Sequence, residues 1–186
     1  MVFSISSLLF LILPYCLWNA EARRYNSVIS VKNGGSWGKW GKPQFCSKGY
    51  ARGFSVKVEA DQGLWDDTGL NGIRLYCSNR EVIQSTTGPK GKWTKVKICP
   101  KGNLVSFSLR VESNQKEGDD TAANNIQFTC QDGSVIARHV TKRGHFGHWS
   151  HRCRSASICG IQTKVEAPQM KGDDTALNDV KFFCCR

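Results

Sequence analysis

Phe107-Ser-Leu-Arg-Val-Glu112 is the stretch that decides the fold, because it occurs three times in the chain. Its counterparts are Phe54-Ser-Val-Lys-Val-Glu59 and Ile161-Gln-Thr-Lys-Val-Glu166. In each copy, apolar or β-branched side chains alternate with polar ones, which is the pattern of a β-strand with one buried face. Three such strands at one register predict an all-β protein built from internal repeats.

The repeat extends on both sides of these strands. Each copy is followed by Asp-Asp-Thr, then by an Asn and an apolar run that ends in Cys. Upstream, each unit opens on Val-Ile and contains Gly-basic-Trp, which we align as Gly38-Lys-Trp40, Gly91-Lys-Trp93 and Gly147-His-Trp149. The units span about residues 28–80, 81–133 and 134–186.

Each unit predicts about four short strands, enough for one small antiparallel sheet of Greek-key type. One such sheet cannot bury its apolar face alone, so we expect three to pack around a shared axis as one core. A β-propeller is the main alternative, but three blades fall below its usual range.

The N-terminus has the pattern of a secretory signal. Val2 to Leu13 are mostly apolar, too short a run to span a bilayer, and Ala20-Glu21-Ala22 fits the small-x-small cleavage pattern. We expect residues 1–22 to be removed and residues 23–186 to form a single secreted domain without a transmembrane segment. A membrane anchor is the alternative interpretation.

The chain is strongly basic, with a formal net charge of +11. In a nuclear or cytosolic protein this charge would favour nucleic acid as the partner. In a secreted protein it favours acidic extracellular glycoproteins or glycans, and we expect no nucleic-acid partner. No phosphate-binding glycine loop, serine elbow or zinc-protease motif occurs in the sequence.

The complete unit resembles the vitelline membrane outer layer protein family. The resemblance rests on Gly-basic-Trp, a Cys, a strand ending in Val-Glu, then Gly-Asp-Asp-Thr-Ala-x-Asn and a closing Cys. It is most specific in the segment from Gly172 to Arg186, and Trp65 departs from it, because the other two turns carry Gly at that place. The resemblance implies a β-prism of three Greek-key sheets with pseudo-threefold symmetry, and an extracellular coat as the setting.

The cysteines predict a disulfide framework, because eight remain after Cys16 leaves with the signal. Three pairs are each separated by 31 positions, which predicts one bridge per unit: Cys46–Cys77, Cys99–Cys130 and Cys153–Cys184. Cys159 and Cys185 then pair with each other. The alternative is the exchanged pairing Cys153–Cys185 with Cys159–Cys184, since Cys184 and Cys185 are adjacent.

The repeated acidic pairs suggest glycosidase carboxylates or calcium ligands, but their threefold occurrence favours structural turns. A catalytic acid and base need different environments, whereas these pairs share one register. We therefore assign six residues to turns: Asp66, Asp67, Asp119, Asp120, Asp173 and Asp174.

The run from His145 to His151 resembles a metal site but aligns with lysines. We place His148 with Lys39 and Lys92, and His151 with Lys42 and Lys95, as solvated basic positions. These six residues are candidates for binding an anionic ligand, and we expect no metal and no cofactor.

The tryptophans divide into two groups. Trp40, Trp93 and Trp149 recur at one aligned register, which favours a place in the core over sugar stacking. Trp37 and Trp65 are not repeated, and this favours an exposed contact with a ligand.

These observations favour a non-enzymatic component of an extracellular coat or secretion that binds acidic partners through many basic contacts. The first alternative is a lectin-like module, since jacalin-type lectins resemble the implied fold. The second is a weak transglycosylase acting on N-acetylglucosamine oligomers, an activity attributed to the family, although no catalytic residues can be matched here.

Overall fold

A computed structural model describes residues 23–59, 69–112, 123–138, 140, 143–154, 156–168 and 176–186. The proposed signal, Trp65 and the six Asp residues assigned to turns lie outside these ranges. The described residues form fourteen β-strands and no helix. Within them, accordingly, there is no helix long and apolar enough to cross a membrane.

The strands form three antiparallel sheets, A, B and C. Sheet A contains β1 (Ser27–Ile29), β2 (Lys39–Trp40), β3 (Gln44–Phe45), β13 (Ser157–Val165) and β14 (Leu177–Cys185). Sheet B contains β4 (Ala51–Val58), β5 (Leu70–Cys77), β6 (Val82–Gln84), β7 (Lys92–Trp93) and β8 (Lys97–Ile98). Sheet C contains β9 (Leu104–Val111), β10 (Ala123–Cys130), β11 (Val135–Ala137) and β12 (His145–Phe146).

Each sheet has Greek-key order. In sheet C the order is β11-β10-β9-β12, so the fourth strand returns to lie beside the first. Sheets B and A repeat this order, as β6-β5-β4-β7 and β1-β14-β13-β2. The prediction of an all-β prism made of three Greek-key sheets is confirmed.

The sheets are staggered relative to the sequence repeats. Each takes its two long strands from one repeat and its short edge strands from the next, and the first repeat's edge strands complete sheet A beside β13 and β14. The expectation of one sheet per repeat is therefore wrong in detail. The physical reason is that a sheet edge left open by one repeat is paired by the next, so the chain closes on itself.

The core lies between the three inner faces. Phe54 of sheet B, Phe107 and Phe128 of sheet C and Phe182 of sheet A are all fully buried. Phe128 lies at the centre, with its ring centroid 4.8 Å from that of Phe54 and 5.2 Å from that of Phe182. The alternation seen in the sequence thus directs one face of each long strand inward.

Three disulfides join the sheets in a ring. Cys46 follows β3 of sheet A and is bonded to Cys77 of sheet B, while Cys99 follows β8 of sheet B and is bonded to Cys130 of sheet C. Cys153 follows β12 of sheet C and is bonded to Cys184, which returns the ring to sheet A.

The fourth bridge, Cys159–Cys185, lies within sheet A, between β13 and β14. It lies beside a small outer cluster that contains Phe183 and is covered by Phe45 and Tyr50. The first three pairs are those expected from the 31-position spacing, and Cys159 is bonded to Cys185, so the exchanged pairing with Cys184 is not the one in the structure.

Candidate functional site

The edge strands β2, β7 and β12 pair with the last residues of the long strands β13, β4 and β9. Each begins after a glycine with positive φ, namely Gly38 (φ 83°), Gly91 (φ 85°) and Gly144 (φ 69°). A Cβ on any of them would collide with the backbone of the long strand beside it, at Val165, Val58 and Val111 respectively. Glycine is therefore required both for the backbone conformation and for the close approach.

These glycines fix the register, and they correct our alignment of the third unit. Lys39 pairs with Val165, Lys92 with Val58 and His145 with Val111. The counterpart of Gly38-Lys-Trp40 is therefore Gly144-His-Phe146, and the alignment on Gly147-His-Trp149 is wrong. The pattern Gly-His-aromatic occurs twice within six residues, and only its first glycine, Gly144, has a positive φ next to β9.

His148 and His151 consequently do not match the lysines assigned to them. Phe146 and Cys153 are seven positions apart, whereas Trp40 and Cys46, and Trp93 and Cys99, are six apart. The N–H of Gly147 donates to the carbonyl of Leu109, as those of Gly41 and Thr94 donate to Thr163 and Val56, so His148 follows in the register of Lys42 and Lys95. The extra residue therefore falls between His148 and Cys153, in the segment that contains Trp149. Counted back from the cysteines, His151 corresponds to Lys97 and Gln44. Both histidines are exposed.

Trp40 and Trp93 lie outside the core, contrary to the interpretation drawn from their recurrence. Both are half-buried on the outer surface, where a cation covers each ring. The guanidinium carbon of Arg74 lies 3.8 Å from the centroid of Trp93, and Nζ of Lys181 lies 4.1 Å from that of Trp40. A strand of two residues gives no alternation, so the sequence could not show which way these side chains point.

Sheet C lacks this close cation. Gln127 occupies the register of Arg74 and Lys181, and Arg110 lies 5.7 Å from the ring centroid of Phe146. Phe146 is 37 % exposed, and Trp149 beyond it is 42 % exposed. The edge of sheet C thus presents more open aromatic surface than its counterparts.

Lys42 and Lys95 have exposed side chains, and their backbone carbonyls accept hydrogen bonds from the neighbouring sheet. The hydroxyl of Ser85 donates to the carbonyl of Lys42 at 2.9 Å, across the seam between sheets A and B. Arg138 donates to the carbonyl of Lys95 across the seam between sheets B and C. The side chains of Lys42 and Lys95, like those of Lys39 and Lys92, are exposed and available to a ligand.

A second threefold set of basic residues was not singled out from the sequence. Nζ of Lys57 donates to the carbonyls of Gly88 and Pro89, Nε of Arg110 to Gly144 and Nζ of Lys164 to Ser36. These residues hold the loops before β7, β12 and β2 against the long strands. The signal was present in the repeated strand, where one basic residue always precedes Val-Glu.

The described surface is far more basic than acidic. Of the acidic residues that the structure describes, Asp132 alone is fully exposed, whereas Glu59, Glu81, Glu112, Glu166 and Asp179 are half-buried. The N–H groups of Glu59 and Glu166 close their hairpins by donating to Gly69 and Ala176. Backbone and side-chain hydrogen bonds from Ser47, with one from Asn79, lower the pKa of Glu81.

Asp179 is an acidic site that sequence analysis missed. Its carboxylate lies against Gly34, where a Cβ would collide with it, and accepts a 2.7 Å hydrogen bond from the N–H of Val180. Burial raises the pKa of Asp179, and the nearby charges of Lys164 and Lys181 only partly oppose that effect. The equivalent position, one residue after the repeated Asn, is Asn125 in sheet C and Gly72 in sheet B. The side-chain oxygen of Asn125 accepts the same kind of bond from the N–H of Ile126.

This comparison predicts that Asp179→Asn stabilises the fold at neutral pH. The folded pKa lies above the ordinary value near 3.8, so ionisation of Asp179 costs stability once the pH exceeds that value. The amide can accept the same bond, as Asn125 does. Urea unfolding should show the variant to be more stable than the wild type at pH 7, with the gain shrinking as the pH approaches 4. A variant that is less stable at pH 7 would contradict this.

Trp37 and a metal site are the remaining candidates from the sequence. Trp37 is 57 % exposed in the loop between β1 and β2, so its role in a contact stays a prediction. In the described part of the chain, no group of three His, Cys, Asp or Glu side chains is arranged to hold a metal ion.

Solved structures of similar fold are β-prism lectins. The agglutinin of Calystegia sepium matches with a TM-score of 0.55 at 11 % identity, covering 87 % of this chain and 97 % of the agglutinin. The prostate-specific WGA16 glycoprotein lectin matches with a TM-score of 0.54 at 12 % identity, covering 82 % of this chain and 96 % of the lectin. At this level of identity the likeness shows the fold alone.

Two relatives are far more similar to this chain in sequence than these lectins are. The vitelline membrane outer layer protein 1 homolog of Homo sapiens is 48 % identical over 171 residues, covering 87 % of this chain and 84 % of the relative. The homolog of Mus musculus is 46 % identical over 171 residues, covering 87 % and 85 %. The family model of vitelline membrane outer layer protein I matches residues 27–186. The chain therefore belongs to the vitelline membrane outer layer protein I family.

Proposed function

We propose that this chain is a secreted, non-enzymatic component of an extracellular coat or secretion, which binds acidic glycoproteins or glycans through basic patches on all three sheets. The observation that carries the proposal is the segregation of charge on the described surface. Exposed lysines lie along the edges of sheets A and B, whereas all but one of the described acidic residues are half-buried.

Several further features support this setting. The four disulfides suit an oxidising compartment, and the leading apolar segment has the pattern of a secretory signal. The family match supports an egg-coat type of protein.

The geometry favours many weak contacts over one deep site. The exposed lysines lie at the edges of different sheets, so we expect the basic residues to form separate patches. Each exposed ion pair contributes on the order of 1 kcal/mol or less. A long polyanion that reaches two patches, or a network that engages several molecules, gains affinity through effective concentration.

Binding to dextran sulfate tests the proposal. We expect measurable affinity at about 50 mM salt that falls by at least tenfold at about 200 mM, with no binding to uncharged dextran. Retention of affinity at high salt, or equal affinity for dextran, would contradict the proposal.

Two variants with matched loss of charge separate a patch from bulk charge. One variant removes three exposed charges from the edge of sheet B: Lys92→Gln/Lys95→Gln/Lys97→Gln. The other removes three exposed charges elsewhere: Lys48→Gln/Lys101→Gln/Arg186→Gln. The first variant should lose about tenfold in affinity and the second about twofold. Equal losses would show that net charge alone governs binding.

A second candidate function, binding of a neutral sugar, is favoured by Asp179. A half-buried carboxylate that lies against Gly34 costs stability at neutral pH and suits a sugar hydroxyl. The β-prism neighbours include artocarpin in complex with mannopentose, with a TM-score of 0.53 at 13 % identity.

Asp179→Asn tests this candidate directly. If Asp179 binds sugar, a neutral glycan array should show salt-resistant binding by the wild type that the more stable variant loses. The control Asn125→Asp changes the corresponding position in sheet C and should leave that binding intact. Salt-resistant binding that survives Asp179→Asn would exclude this site.

A further inference from the structure

The edge of sheet C differs from its two counterparts in a way that the threefold repeat does not require. We define the histidine edge as residues 145–152. It contains three exposed imidazoles, at His145, His148 and His151, and two exposed aromatic rings, at Phe146 and Trp149.

The strand register shows how the charge of this edge differs from that of the edges of sheets A and B. His145 occupies the position of Lys39 and Lys92 beside the long strand, so a titratable group replaces a permanent charge on one of three sheets. Histidine is the side chain whose charge ordinarily changes between pH 5 and 8. The position that carries lysine in sheets A and B therefore carries an imidazole in sheet C.

The surroundings favour an anion. Among the described residues of the adjacent elements, the acidic ones are Glu112 and Asp132, and the basic ones are Lys32, Arg110, Arg143, Arg152 and Arg154. Nη2 of Arg152 donates to the carbonyl of Gln131 at 3.1 Å, and Asn33 donates to Leu109, which brings the turn with Asp132 and the loop with Lys32 against this edge. Protonated imidazoles would add to a surface that is already mainly basic.

The open rings favour a sugar polymer over other polyanions. Gln127 replaces the cation that covers the ring in the other sheets, and Trp149 stands in the segment that has one extra residue. Exposed aromatic faces stack on the apolar faces of sugar rings, which a simple inorganic polyanion lacks.

We infer that the histidine edge is an acid-strengthened binding surface for an anionic polysaccharide, with Trp149 and Phe146 stacking on sugar rings and the imidazoles pairing with its anionic groups. This inference rests on the proposed function and adds that binding at the edge of sheet C is strongest at acidic pH.

Dextran sulfate is a suitable probe because its sulfate esters keep their charge over this range. At fixed ionic strength, the full protein should bind it about tenfold more tightly at pH 5.5 than at pH 8. His145→Gln/His148→Gln/His151→Gln should keep the affinity measured at pH 8 and lose the gain. The triple His→Lys variant should bind tightly at both values.

Matched controls separate this edge from other groups. Lys39→Gln/Lys92→Gln should bind more weakly at both pH values with the same ratio between them, and Asp179→Asn should keep the gain. Trp149→Ala should lose affinity for dextran sulfate and keep affinity for polyphosphate, which has no sugar ring.

The outcomes are distinguishable. Binding with no gain at pH 5.5, or a gain that survives the triple His→Gln change, would overturn this inference alone. Loss of polyphosphate and dextran sulfate binding in equal measure on Trp149→Ala would overturn the assignment of a sugar polymer. Absence of binding at both pH values would overturn the proposed function and this inference together.

Discussion

Replacement of Phe128 by alanine should destabilise the protein by about 4 kcal/mol, within the range measured for buried Phe→Ala changes. Phe128 is fully buried where the three sheets meet, in contact with Phe54 and Phe182, and its centroid is 6.3 Å from that of Phe107. Neighbours from three disulfide-linked sheets cannot readily collapse into the cavity, so the substitution keeps its full cost. Guanidinium unfolding of the oxidised protein at neutral pH provides the measurement.

The repeat supplies the control. Leu75 occupies the position of Phe128 in sheet B, since both precede the closing cysteine by two residues. Phe128→Leu should therefore cost less than about 2 kcal/mol. Phe183→Ala, in the outer cluster beside the half-exposed Tyr25, should cost about half as much as Phe128→Ala. A loss below about 1 kcal/mol for Phe128→Ala would show that the three sheets do not share one core.

The fold could be predicted largely from the sequence because its determinants are local and repeated. The alternation in Phe107–Glu112 and the matched cysteine spacings each act within a few residues or through a fixed period. The stagger of the sheets could not be predicted in this way. Pairing of β1 with β14 joins the two ends of the chain, and no periodic pattern reports that contact.

The site was predicted less well, for reasons that concern particular residues. Two Gly-His-aromatic patterns lie within six residues, and their sequence does not show that Gly144 adopts positive φ against Val111. The recurrence of Trp40 and Trp93 indicated that the two rings share an environment, but not whether it is the core or the surface. The cations that cover them, Lys181 and Arg74, come from a different strand. Asp179 escaped notice because its burial depends on Gly34, more than a hundred residues earlier.

Removal of the Cys99–Cys130 bridge should be the second largest effect, about 3–4 kcal/mol on the chain-entropy model. The bridge spans 31 positions and joins sheet B to sheet C beside the seam where Arg138 donates to the carbonyls of Lys95 and Val96. Cys99→Ala/Cys130→Ala avoids a free thiol and can be compared with the wild type by guanidinium unfolding.

Cys159→Ala/Cys185→Ala is the informative control, because its bridge spans a similar 26 positions but lies within sheet A. Chain entropy predicts nearly the same loss of global stability for both variants. Hydrogen exchange should nevertheless differ, because β13 and β14 stay paired along their length without their bridge, while the Cys99–Cys130 bridge lies beside the B–C seam where Arg138 donates to Lys95 and Val96. Protection around Lys95 and Arg138 should fall in the first variant alone. Equal loss of protection at that seam in both variants would show that the prism opens as one unit and that the ring of disulfides does not hold its seams separately.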